Sequence, residues 1–211
     1  MKKALYIIIV ILISCKQETS HLDANHTKSG RVHINEAEYK DFKNVENQSK
    51  FNKADFEYKN ENYLYSLKLF QELHLLEPEN YILISAIALN YCAMKNYKKA
   101  DSVYQLMITE FPNKASGIIN YSTCFMNQEK YIESIDTLEY EINKYYNDSS
   151  KFSLSDKHSF SIIKVNMAIS YKNLKDSIQA KKHAEIGLKY ATDSVVVDVL
   201  NKLVDEMNNS D

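Results

Sequence analysis

Apolar residues in the middle of this chain fall into helical phrases separated by polar turns, and the phrases return at a fixed step. Phe51, Ala54 and Tyr58 share one helical face, Asn60-Glu61-Asn62 interrupts, and Leu67, Phe70, Leu73 and Leu76 mark a second helix. Pro78 closes that helix by disfavouring helical backbone at Glu77. Ile84, Ile87, Ala88 and Tyr91 then line one helix, and Ala100, Val103, Tyr104, Met107 and Ile108 the next, which ends at Phe111-Pro112. Ile118, Tyr121, Ser122 and Phe125 are matched in turn by Ile132, Ile135, Leu138 and Ile142. Tyr63, Tyr97 and Tyr131 stand 34 residues apart. A period of this length predicts stacked helical hairpins, because one such unit is too small to bury its apolar face alone.

Beyond this region the phase slips. Tyr146 stands where a third Pro is due, so the second helix of that unit is expected to run on, and the polar stretch from Asn147 to Leu154 breaks the period. Ser153 with Asp156 three residues on reads as a capping pair. Met167, Ala168 and Tyr171, then Ala180, Ala184 and Leu188, make a degenerate fourth unit. Asp193 or Ser194 can cap a last helix with Val196, Val199, Leu200, Leu203, Val204 and Met207 on one side and Asp198, Asn201, Lys202 and Asp205 on the other. One apolar face and one wet face suit a terminal cap of a stack. Ile34–Asn47, with Ala37, Tyr39 and Phe42, leaves helix and coil both open.

Small residues recur where two helices of a hairpin would cross: Ala54, Ala88 and Ser122 in the first helices, Ser66, Ala100 and Ser134 in the second. A bulky side chain there would hold the helices apart. With the aromatics and the Pro, these positions resemble the tetratricopeptide repeat. Ala88, Tyr91, Tyr97, Ala100, Tyr104 and Pro112 match every element of its pattern; the first unit has Glu57 where an aromatic belongs, and the third lacks the Pro. The resemblance covers about residues 48–190 and implies an all-α, right-handed α-solenoid of three to four hairpins, with repeats over 48–192 and a capping helix over 193–208.

By that resemblance, first helices line a concave groove that holds extended or helical peptide segments. The groove positions are Phe51, Asp55 and Tyr58, then Ser85, Leu89 and Cys92, then Ile119, Thr123 and Met126. Repeats that grip a carboxylate carry Lys and Asn at such places; these residues are mainly apolar or aromatic, so an apolar or amphipathic segment is expected. The alternative occupant is a glycan or peptidoglycan strand stacked on Tyr58, Tyr63, Tyr91 and Tyr97, which requires exposed ring faces.

The N-terminus adds a location. Lys2 and Lys3 precede an apolar run from Ala4 to Ile13, too short to span a bilayer, and Leu12-Ile13-Ser14-Cys15 follows. Those four residues resemble the lipobox of bacterial lipoproteins, which implies removal of residues 1–14 and acylation of Cys15. Residues 15–47 then form the lipidated Cys and its tether, polar from Lys16 to about Gly30. Lys16 rather than Asp after the Cys goes, in similar lipoproteins, with delivery to the outer membrane, facing the periplasm or the outside. Removal of Lys2 and Lys3 takes the formal charge from −2 to −4. Long-range attraction to nucleic acid or to anionic headgroups is not expected of such a chain, and the lipid alone supplies membrane attachment.

Candidate chemistry is sparse. The sequence has no Gly-rich phosphate loop, no His-Glu-x-x-His and no Gly-x-Ser-x-Gly. His21, His26 and His33 lie in or just after the tether at no metal spacing, and His74, His158 and His183 read as surface or hairpin residues. Cys92 and Cys124 fall at different phases of the repeat on neighbouring first helices, so their side chains are expected to point apart and remain buried thiols. Glu129, Glu133, Asp136 and Glu139 read as the wet side of a helix pair. The expectation is a non-enzymatic adaptor or assembly factor with no cofactor, no metal and no small-molecule substrate, whose partner is another envelope protein.

Overall fold

A computed structural model describes residues 42–112 and 114–209. Among these the chain is all-helical: α1 (Val45–Lys59), α2 (Tyr63–Leu76), α3 (Tyr81–Ala93), α4 (Tyr97–Glu110), α5 (Ala115–Met126), α6 (Tyr131–Tyr145), α7 (Leu154–Asn173), α8 (Ser177–Tyr190) and α9 (Ser194–Asn208). Each helix packs on the next, and alternate helices α3, α5, α7 and α9 also touch. This is a solenoid of four helical hairpins ended by a single helix.

One turn joins the two helices of every hairpin. Asn62, Asn96, Lys130 and Asp176 each donate a backbone N–H to the carbonyl five residues back, on Glu57, Tyr91, Phe125 and Tyr171, at 2.8–3.0 Å. The residue before each donor is left-handed: Glu61 at φ 64°, Lys95 at 59°, Glu129 at 61° and Lys175 at 63°. This is the Schellman arrangement, which satisfies the last helical carbonyls and normally employs Gly. The bond uses backbone only, so it accepts Glu57 in place of an aromatic, and the Glu57 carboxylate finds its own partner in the Asn62 amide at 2.7 Å. A non-Gly residue in this conformation costs about 1 kcal/mol. Lys95→Gly is therefore expected to raise the unfolding free energy by about 0.5–1 kcal/mol, measured by urea titration; a loss of stability would contradict the turn geometry.

The crossing residues are sealed. Ala54, Ser66, Ala88, Ala100, Ser122, Ser134 and Ala168 are 0 % exposed and Ala180 is 1 %. Phe70, Tyr104, Leu138 and Ala184 hold the next core position, at 3 %, 0 %, 0 % and 0 %. Removing such surface from water at every crossing is the principal force holding one hairpin on the next.

The irregular regions have local causes. Asn44 caps α1 by accepting from the Asn47 N–H, and Phe42 packs its ring 4.9 Å from Phe51, so the helix begins three residues before the Gln48 that the periodicity marks. α6 runs on one residue past the equivalents of Leu76 and Glu110 and ends at Tyr145, where Tyr146 turns inward against Phe152 and Phe160 at 5.4 and 5.6 Å. Tyr190 closes that box, 5.7 Å from Phe152 and 5.1 Å from Phe160. The stretch 147–154 is thus anchored by Phe152. Ser153 and Asp156 form a full capping box for α7, whose 20 residues absorb the rest of the phase slip. Asp193 caps α9, which buries Val196, Leu200, Leu203 and Met207 and leaves Asp198, Asn201, Lys202 and Asp205 exposed.

Candidate functional site: the seam of first helices

The first helices α3, α5 and α7 lie side by side, and the residues expected to line a groove sit along them. Ser85, Leu89, Cys92, Ile119, Thr123 and Met126 are 6 %, 9 %, 3 %, 9 %, 4 % and 2 % exposed, and Phe51 on α1 is 5 %. Asp55 and Tyr58 keep partial access to solvent. An open trough lined by all nine is not what the structure shows. Several of these side chains join one helix to the next instead.

Polar bonds make up much of this seam. The Asn120 amide donates to Ser85 Oγ at 2.8 Å, tying α5 to α3. The Asn166 amide donates to Ser122 Oγ at 3.0 Å and Thr123 Oγ1 at 3.1 Å, tying α7 to α5. All of these residues are buried, where a paired polar group is worth more than in water and an unpaired one is costly. Asn120 and Asn166 both stand two residues before the small crossing residue of their helix, a recurrence visible in the sequence once the slip is allowed for.

Cys92 and Cys124 are joined in a disulfide with Cα atoms 5.9 Å apart, which corrects the expectation of separate thiols. The difference in phase brings the two side chains together rather than apart. Two residues that meet across a seam must lie on opposite sides of their own helices, and the two-residue offset of Cys124 from the equivalent of Cys92 is a rotation of about 200°. The bridge is buried, with Tyr104 and Tyr121 in the same cluster and the Asn127 amide 3.8 Å from Cys92 Sγ.

The four tyrosines Tyr58, Tyr63, Tyr91 and Tyr97 keep partial exposure while packing on neighbouring side chains. Tyr58 and Tyr63 pack edge to face at 5.3 Å, and Tyr91 and Tyr97 pack on the cluster around Tyr104. Gln71 donates to the Tyr91 hydroxyl at 3.2 Å, and Lys99 lies 5.4 Å from the centre of the same ring. Burial pushes Tyr58 up to about 12.

Buried ionisable groups lie away from this seam. Of the two placements expected, surface or hairpin, His158 and His183 do not take the first, being 9 % and 8 % exposed. His158 Nδ1 lies 3.2 Å from Thr192 Oγ1, and burial holds its pKa below the usual value. His183 stacks on Tyr171 at 5.2 Å and is pushed down to about 4, by burial first and by Lys164 second. Lys164 and Glu141, both buried, drew no notice in the sequence. Glu129, Glu133, Asp136 and Glu139 are exposed, as their pattern suggests.

Among the described residues no group of three or more His, Cys, Asp or Glu is placed to hold a metal ion. Nor is any described helix long and apolar enough to cross a membrane. Cys15, His21, His26 and His33 lie outside the described residues. No family model and no curated protein sequence matches this chain.

Proposed function

We propose that the protein is a lipid-anchored adaptor of the bacterial envelope, probing another envelope protein through an apolar or amphipathic peptide segment. The observation that carries this reading is the stack itself: four hairpins closed by the same turn present a long, regular surface, the kind on which extended or helical segments are held. The 34-residue return and the sealed small positions support a tetratricopeptide assignment. The Leu12-Ile13-Ser14-Cys15 signal supports attachment through lipid on Cys15, at the outer membrane. A buried disulfide supports a compartment outside the reducing cytosol.

The seam is closed by its own bonds, so the accessible apolar positions are the better candidates for contact. Leu64, Ile132 and Ile178 are 75 %, 60 % and 80 % exposed, each in the first turn of a second helix. Because the hairpin turns all fall along one edge of such a stack, these side chains share that edge. Leu89→Glu or Met126→Glu would test folding rather than binding, since both side chains are buried. The test is photo-crosslinking in intact cells from positions 64, 132 and 178, with position 202 on the wet face of α9 as reference. Capture of one and the same envelope protein from the three edge positions, lost in Leu64→Asp with Ile132→Asp, is the expected result. Equal capture from position 202, or a glycan in place of a protein, would overturn the proposal.

A further inference from the structure

Glu141 occupies on α6 the place that Leu73 holds on α2 and Met107 on α4, and it is as buried as they are: 2 % exposed against 0 % and 1 %. Its carboxyl makes no hydrogen bond or ion pair among the described residues. It borders a cavity of about 10 Å³, room for one water, between the α4–α5 turn and the end of α6. Met107, Phe111, Gly117, Ile118 and Lys144 are among the residues that line it. Packing on the α4 side is tight, since a methyl group on Gly117 would stand 3.0 Å from Met107 Cε. Beyond the cavity, the Tyr145 hydroxyl donates to the Pro112 carbonyl at 2.5 Å and clasps α6 to the same turn.

We propose that Glu141 is a proton-operated latch between the second and third hairpins. Neutral, it lets the end of α6 close on the α4–α5 turn; ionised, it draws water into the cavity and loosens that closure. The cost of an ionised carboxylate in an apolar setting without a partner is what drives the seam open. Burial pushes this carboxyl from 4.5 up to about 7, against the pull of Lys144. A raised carboxyl binds its proton more tightly in the closed state. The stabilisation is therefore complete below about 4.5 and is lost as pH rises through about 7.

The groups facing Glu141 leave that sign intact. α4 and α5 bring Met107, Ile108, Gly117 and Ile118 to the cavity, and the turn brings Phe111 and Pro112, none of which titrates. The turn brings Lys114, held 4.8 Å from the centre of the Tyr81 ring, and α6 brings Tyr140 and Lys144. On α7, His158 responds to Asp193, and Lys164 to Glu139 and Lys182. The latch concerns the hairpins alone and does not depend on the proposed partner.

Amide hydrogen exchange of the full chain tests it, read at residues 108–118 and 138–146, with α9 as internal reference and rates corrected for intrinsic exchange. Between about pH 6 and about pH 8 the ionised fraction of a group titrating near 7 rises roughly tenfold. Protection of the two segments is expected to fall by about that factor in the wild type while α9 stays unchanged. In Glu141→Gln, and in Glu141→Met, which restores the apolar character of the other repeats, protection is expected to be equal at both pH values. Constant protection in the wild type, or the same fall in both variants, overturns the proposal.

Discussion

Replacing Cys92 and Cys124 together by Ala is expected to lower the unfolding free energy by about 3–4 kcal/mol, the cost of restoring freedom to an unfolded loop of this length. The two residues are 32 apart in sequence and belong to successive hairpins, so the bond spans a full repeat. In a stack, each unit touches only its neighbours, and weakening one interface lets the two halves fray separately. Across the α3–α5 seam the side-chain hydrogen bonds seen among the described residues are Asn120–Ser85 and the long Asn127–Cys92 contact, which lack the strength to replace a covalent link. Urea unfolding, followed by circular dichroism, measures the effect. Reductant should bring the wild type to the midpoint of the double variant and leave the variant where it is. Identical wild-type midpoints with and without reductant would show that the bond contributes nothing, and with it would go the support it lends to an oxidising compartment.

Much of the stack could be read from the chain because its information is periodic. Small residues at Ala54, Ala88 and Ser122 and large ones at Phe70, Tyr104 and Leu138 can be recognised from spacing alone, and all are buried. The capping pair at Ser153 and the striped last helix were legible for the same reason: each is a local pattern with a local cause. What escaped was relational. Whether Cys92 meets Cys124 depends on how two helices from different repeats face each other, and periodicity within one helix does not give that. Open access to Leu89 and Met126 was inferred from their place in the repeat, yet exposure is decided by neighbours across the seam.

The buried charges are a different kind of miss, since the repeat did contain the signal. Aligning the units places Glu141 with Leu73 and Met107, and Lys164 with Ile84 and Ile118. A charge at a position that is apolar in sibling repeats announces a buried ionisable group, and comparison within the chain would have found both. Lys50 shows why the inference needs care. It holds the same place in the first repeat but keeps partial exposure and pairs with Glu72 at 2.6 Å, so burial at that position fails where the stack begins.

Lys164→Met is expected to stabilise the protein at neutral pH by about 1–3 kcal/mol, the range seen when a packed apolar side chain replaces a buried charge. Lys164 is 6 % exposed, its Nζ 3.5 Å from His183 Nδ1, 3.8 Å from Met167 Sδ and 4.9 Å from the centre of the Phe160 ring. No carboxylate salt bridge to it is seen among the described residues, and the ring offers less than full compensation. Burial accordingly pulls Lys164 from 10.5 down to about 8, with Glu139 opposing and Lys182 assisting. A base lowered in the folded state stabilises the fold above 10.5, and that contribution is lost as pH falls through about 8. The advantage of the Met variant should therefore be full near neutrality and shrink as the solution approaches the ordinary lysine range. His183 gives an independent reading: with Lys164 gone, one of the causes holding it down to about 4 is removed, and its titration midpoint in proton NMR should rise while burial still keeps it below 6.5. Equal urea midpoints for wild type and Lys164→Met, together with an unmoved His183, would mean that the ammonium reaches water and that the core position it inherits from Ile84 and Ile118 is not one it occupies.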